Sequence, residues 1–163
     1  MNNDLILGID PGLNITGYGI INIAELKIPR LFTYGHIRTN AKNDLAERLQ
    51  KIYRDLDLLI KEHQPARVAI ESIFYADNVK TAIVMGHARG STMVAAINSG
   101  ASVAEYSPRE VKMSVVGNGA AVKSQVNFMV RSILKLQENI KPDDASDALA
   151  VALCHWNRLK EIK

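Results

Sequence analysis

Near the start of the chain, Leu5-Ile6-Leu7-Gly8-Ile9 forms an apolar run that stops abruptly at Asp10-Pro11-Gly12. A short apolar run without polar alternation suits a strand covered on both faces, in the middle of a sheet. Pro has no N–H for a central ladder and Gly favours turns, so the chain must leave the sheet just after the acid. Asp10 is thus held at the end of the most rigid element available. An unpaired carboxylate at a sheet's core costs several kcal/mol, so two readings follow. Either something cationic compensates Asp10, or it opens a β-turn and faces water.

At 163 residues the chain suits one domain over 1–163, large enough for a substantial core. No apolar stretch approaches the ~18 residues that a membrane span needs. Met1-Asn2-Asn3-Asp4 lacks the basic region of a signal peptide, which points to the cytoplasm and away from membranes. One cysteine, Cys154, excludes an internal disulfide, and its apolar helical setting favours a packed thiol over a nucleophile. The formal charge of +3 is too small to establish a nucleic-acid partner. Its distribution says more: residues 1–80 carry ten Lys/Arg against ten Asp/Glu, and residues 81–163 ten against seven, so the excess lies in the second half.

Taken in order, Thr16–Ile23 and Leu31–Arg38 read as second and third strands, which makes an antiparallel meander with the first. The glycines at 17 and 19 permit close backbone approach. Asp44 with Glu47 resembles a capping box, and Leu45, Leu49, Ile52, Leu56 and Leu59 continue at helical spacing to about His63. Pro65 ends that helix, and Arg67–Ile73 follows as a strand reached by a right-handed crossover to a parallel position. Asn78–Ile97 is a long helix in which Gly86 and Gly90, each costing about 1 kcal/mol, point to close packing against the sheet or another chain. Ser102–Tyr106 is a fifth strand, and three helices follow: Arg109–Val116 behind Pro108, Ser124–Leu136, and one opening at Pro142 and running through Trp156. The methionines and Trp156 read as core, and His155 as a helix C-terminal histidine.

Four acids stand out. Glu71 interrupts an apolar strand on the face opposite Val68 and Ile70, as an edge residue or as a second carboxylate facing a site. Asp144 and Asp147, three apart, share one face of the last helix, where they either cap it or reach the sheet. Ala145, Ala148, Ala150 and Ala152 favour the second reading, because small side chains let a helix lie close to a sheet. Four converging carboxylates repel one another unless cations sit between them. Mg²⁺ takes such hard oxygen ligands, and two ions about 3.5–4 Å apart serve phosphodiester cleavage.

The sequence resembles the RuvC family of bacterial Holliday junction resolvases, within the ribonuclease H-like nuclease superfamily, over essentially its whole length. The resemblance rests on Gly8-Ile9-Asp10-Pro11-Gly12 with Thr16-Gly17-Tyr18-Gly19, Ala69-Ile70-Glu71, Gly86-His87-Ala88-Arg89-Gly90, Val111-Lys112 to Gly117, Lys123-Ser124-Gln125-Val126 and Asp144-Ala145-Ser146-Asp147-Ala148-Leu149-Ala150, in that order. It implies an α/β fold, a mixed five-stranded sheet flanked by helices on both faces. It also implies that Asp10, Glu71, Asp144 and Asp147 are catalytic, metal-binding acids. Some members of the family carry His where this chain has Asp144, and the all-carboxylate version favours Mg²⁺, with Mn²⁺ as a substitute, at one or two ions per site. By the same resemblance Lys112 and Lys123 lie near the scissile phosphate and Phe74 stacks on an unpaired base at the junction. Arg89, with His87, faces DNA, a second subunit or solvent. The implied activity is symmetric nicking of two strands of a four-way DNA junction, leaving 5′-phosphates, by a homodimer that works with the branch-migration proteins RuvA and RuvB. The helix with Gly86 and Gly90 is the candidate dimer face. An ATP-binding fold of the actin or sugar-kinase type also opens with an Asp-containing strand, but it needs two such domains. A non-catalytic relative would not keep all four acids.

Overall fold

The computed structural model of the chain describes residues 1–24, 28–72 and 78–161. Among them are β1 (Asn2–Asp10), β2 (Ile15–Asn22), β3 (Arg30–Arg38), α1 (Leu45–His63), β4 (Pro65–Glu71), α2 (Val79–Asn98), β5 (Ser102–Tyr106), α3 (Pro108–Val116), α4 (Lys123–Leu134) and α5 (Asp143–Glu161). The strands form one sheet in the order β3-β2-β1-β4-β5, so the apolar run around Leu5–Ile9 is indeed central. β1 pairs antiparallel with β2 and parallel with β4, and β4 pairs parallel with β5, which makes the sheet mixed.

The side-chain period of two along β1 builds two cores. Leu5, Leu7 and Ile9 face Ile52, Leu56 and Ile60 of α1 and Ala88, Ala95 and Ala96 of α2. Ile6 faces the other way, into a core with Val111 and Val115 of α3, Val126 and Val130 of α4, and Leu149, Leu153 and Trp156 of α5. Helix termini are set by local chemistry: the Asp44 carboxylate accepts the Glu47 N–H at 2.8 Å, and Ser107 and Glu110 form a reciprocal capping box at the start of α3.

Helix α5 lies almost on the backbone of β1 and β2. Gly8 is paired across the ladder with Gly19. A Cβ at Gly8 would sit 2.1 Å from the Ala148 carbonyl oxygen, and one at Gly17 would sit 2.0 Å from that of Asp144. One at Gly19 would meet the Leu149 side chain at 2.5 Å. Any other residue at these three positions would lift the helix off the sheet, so the glycines set how far Asp144 and Asp147 can reach.

Three expectations change. Among the described residues, nothing beyond their own helix lies within 4 Å of a Cβ added at Gly86 or Gly90, so these glycines do not serve packing against the sheet. Helix α5 runs on to Glu161, which leaves His155 inside the helix, where its Nδ1 and the Tyr106 hydroxyl are 2.8 Å apart. Met113 is exposed rather than core. Cys154 and Trp156 are buried, as their apolar setting requires. Ile73, the anticipated last residue of the fourth strand, and Phe74 lie outside the described residues.

Candidate active site

Asp10 ends β1 and Glu71 ends β4. Because the two strands are parallel neighbours with Ile9 opposite Ile70, their next residues lie side by side at one end of the sheet. Ile9 and Ile70 point into the core under α1 and α2, so Asp10 and Glu71 point to the other face, toward α5. The first turns of α5 bring Asp144 and Asp147 over that spot. Lys112 of α3 and Lys123, the first residue of α4, complete the rim of one 370 Å³ cavity that all six side chains line.

The turn that carries the chain out of β1 is held by Thr16, a fully buried residue whose hydroxyl donates to the Gly12 carbonyl at 2.8 Å. This clasp stops the chain just past Asp10. A threonine four residues beyond Gly12 was the available signal, but only the β1–β2 pairing shows what it grips. Met85 of α2 also lines the cavity, across from the acids, and the sequence offers no sign of it beyond helical spacing.

Burial is the main reason that the Asp10 pKa is pushed up to about 8, with the charges of Glu71, Asp147 and Asp144 adding to it. Burial and Asp147 also raise Glu71, while its hydrogen bond with Asp10 and the charges of Lys123 and Lys112 act the other way. Both carboxyls are thus held above their ordinary range, which favours a proton between Asp10 and Glu71. Asp147 is held by Lys123, whose Nζ lies 2.9 Å from its Oδ2, and this contact raises the lysine's pKa.

As these side chains stand, no three His, Cys, Asp or Glu among the described residues form a metal-holding group. Their repulsion is relieved by a shared proton on one side and an ammonium on the other. An all-oxygen donor set of this kind fits a divalent ion such as Mg²⁺.

The structure thus brings together Asp10, Glu71, Asp144, Asp147, Lys112 and Lys123, as the sequence reading groups them. It does not bring Arg89 there. That guanidinium is ion-paired with Glu105 of β5, and His87 is exposed on α2.

Residues 6–155 match the family described as crossover junction endodeoxyribonuclease RuvC. The chain is 50% identical over 151 residues to the protein of that name from Alkaliphilus oremlandii, covering 93% of this chain and 92% of that one. It is 48% identical over 164 residues to the one from Pelotomaculum thermopropionicum, covering 98% and 99%. Among solved structures it is similar to T. thermophilus RuvC in complex with Holliday junction substrate, with a TM-score of 0.87, 30% identity, and 96% and 95% of the two chains covered.

Proposed function

The chain belongs to the crossover junction endodeoxyribonuclease RuvC family, and from that premise we propose that residues 1–163 form one nuclease domain whose acid cavity cuts four-way DNA junctions. The activity is that of a Holliday junction resolvase, and membership of this nuclease family implies dependence on a divalent metal. The observation that carries the site is the convergence of Asp10, Glu71, Asp144 and Asp147, from two strands and a helix, on a cavity rimmed by Lys112 and Lys123.

In this reading the four carboxylates hold one or two Mg²⁺ ions, for which Mn²⁺ substitutes. An ion held there would supply water activation and charge neutralisation at the leaving oxygen in phosphodiester hydrolysis. The protein's own part is to yield the proton shared by Asp10 and Glu71, present its oxygens from rigid element ends, and orient the strand. Lys112 and Lys123 act as point charges on the scissile phosphate, and Lys123 exchanges its Asp147 contact for that phosphate. The product keeps a 5′-phosphate.

A junction has two equivalent strands to cut, so a homodimer with two sites at fixed separation suits it. The open face of α2, with Gly86, Gly90 and exposed Ile83, is the proposed interface. Phe74 is proposed to stack at the junction centre, and Arg89, on α2 outside the cavity, to contact DNA elsewhere. RuvA and RuvB are the proposed partners, and the cytoplasm, where bacterial DNA is recombined, the proposed location. No helix among the described residues is long and apolar enough to cross a membrane.

The test is incubation with a synthetic mobile four-way junction and Mg²⁺, with EDTA and Asp147→Asn controls. Paired, symmetric nicks that vanish in both controls are expected. Equal cutting of linear duplex would make the protein a general nuclease instead.

A further inference from the structure

Beside the acid cavity a 440 Å³ groove runs between α4 and the segment leading into α5. Lys123 and Asp147 line both spaces, so the two adjoin. One face of α4 forms the groove wall: Ser124, Asn127, Phe128 and Arg131 recur at the spacing of a single helical stripe, while Val126, Val130 and Leu134 face the core. The far wall includes Lys141.

The groove gathers cationic, amide and aromatic side chains. Arg131 and Lys141 have no ion-pair or hydrogen-bond partner among the described residues, and the Nε of Arg131 is buried without an acceptor. Asp143 also lines the groove but pairs with neither cation. Phe128, 59% exposed, lines the groove beside them. Unpaired cations, amide side chains and an exposed aromatic ring are the groups that hold a nucleic-acid strand, cations on phosphates and the ring on a base.

We propose that this groove binds the stretch of the cut DNA strand that flanks the scissile phosphate, with Arg131 and Lys141 on its phosphates and Phe128 stacked on a base. The inference rests on the junction-nuclease reading and extends it to a second subsite. It gives the strand a defined path out of the cavity past Lys123, so the phosphate to be cut is positioned from one side by its neighbours.

Junction binding in EDTA, titrated over a range of salt, tests it on the full chain. Arg131→Ala and Lys141→Ala should each lower the slope of log K against log salt by about 0.9, as expected for one lost phosphate contact. Arg131→Lys should restore the slope. Phe128→Ala should weaken binding by roughly 5- to 150-fold with the slope unchanged, since stacking releases no counterions. Lys61→Ala, on the far side of the sheet, should leave slope and affinity as in the wild type. Melting curves identify any variant that fails to fold, and Lys141, at an exposed position, keeps the test decisive if Arg131→Ala does. Wild-type slopes in both alanine variants, or an equal drop in Lys61→Ala, would overturn the subsite while leaving the junction-nuclease reading standing. A wild-type protein that neither binds nor cuts junctions would remove both.

Discussion

Asp10 sits against three other carboxylates, and burial together with their charges raises its pKa to about 8, which makes its role separable by substitution. Asp10→Asn keeps the size and removes the charge, so it should abolish cleavage, by more than the ~100-fold typical of losing an outer-shell partner, yet retain junction binding. Gel-shift and cleavage assays on one junction read both. Because the Asp10–Glu71 proton must leave for a metal to bind, Mg²⁺ affinity should rise with pH toward about 8, where Asp10 titrates. Calorimetry in two buffers of different ionisation enthalpy would reveal the released proton, and a buffer-independent heat would refute the sharing. His155 behaves in the opposite sense. Burial, with the charge of Arg67, lowers its pKa from 6.5 to about 4, so the folded state binds fewer protons than the unfolded chain between those values. Its contribution to stability is present above pH 6.5 and is lost as pH falls through about 4. Urea midpoints measured from pH 7.5 to 4.5 should fall less steeply in His155→Gln than in the wild type.

At the scale of elements, the relation between α5 and the sheet decides whether there is a site at all. Gly17→Ala would drive a methyl into the Asp144 carbonyl, 2.0 Å from the built Cβ. The helix must move, so a loss of about 1–3 kcal/mol in urea unfolding is expected, together with loss of cleavage as Asp144 leaves the cavity. Gly86→Ala is the contrast, since among the described residues nothing beyond its own helix lies within 4 Å of a Cβ added there. In a helix interior with open space it should stabilise the protomer by about 0.5–1 kcal/mol. These two glycines look alike in the sequence: each sits in an apolar element beside other glycines. Only what lies across from them distinguishes a close approach from an open face. Strand and helix identities, by contrast, were legible almost throughout, because apolar runs of strand length, the 3.6 period, the Asp44 cap and Pro108 at the start of α3 are local signals. The C-terminal end of α5 was not, because Trp156 is its last large buried residue and the turns beyond it are largely exposed.

For the whole molecule, a homodimer with two sites predicts a concentration-dependent dimer in sedimentation and two nicks per junction, one per continuous strand. If the open face of α2 is the seam, Gly86→Ala should weaken that dimer while raising the stability of the protomer, a combination that neither a monomer nor a dimer built on another face would show. The sequence by itself determined the central strand ending in Asp10, the order of elements, and which acids were candidates, because those follow from local patterning and from motifs of specific residues in order. Tertiary structure alone decided that Asp10 and Glu71 meet at one end of the sheet, that Lys123 holds Asp147, that Arg89 is engaged with Glu105, and that a groove holding Arg131 and Lys141 adjoins the cavity. The physical reason is the same in each case: these are contacts between residues far apart in the chain, set by the parallel register of β1 with β4 and by how closely α5 rests on Gly8, Gly17 and Gly19.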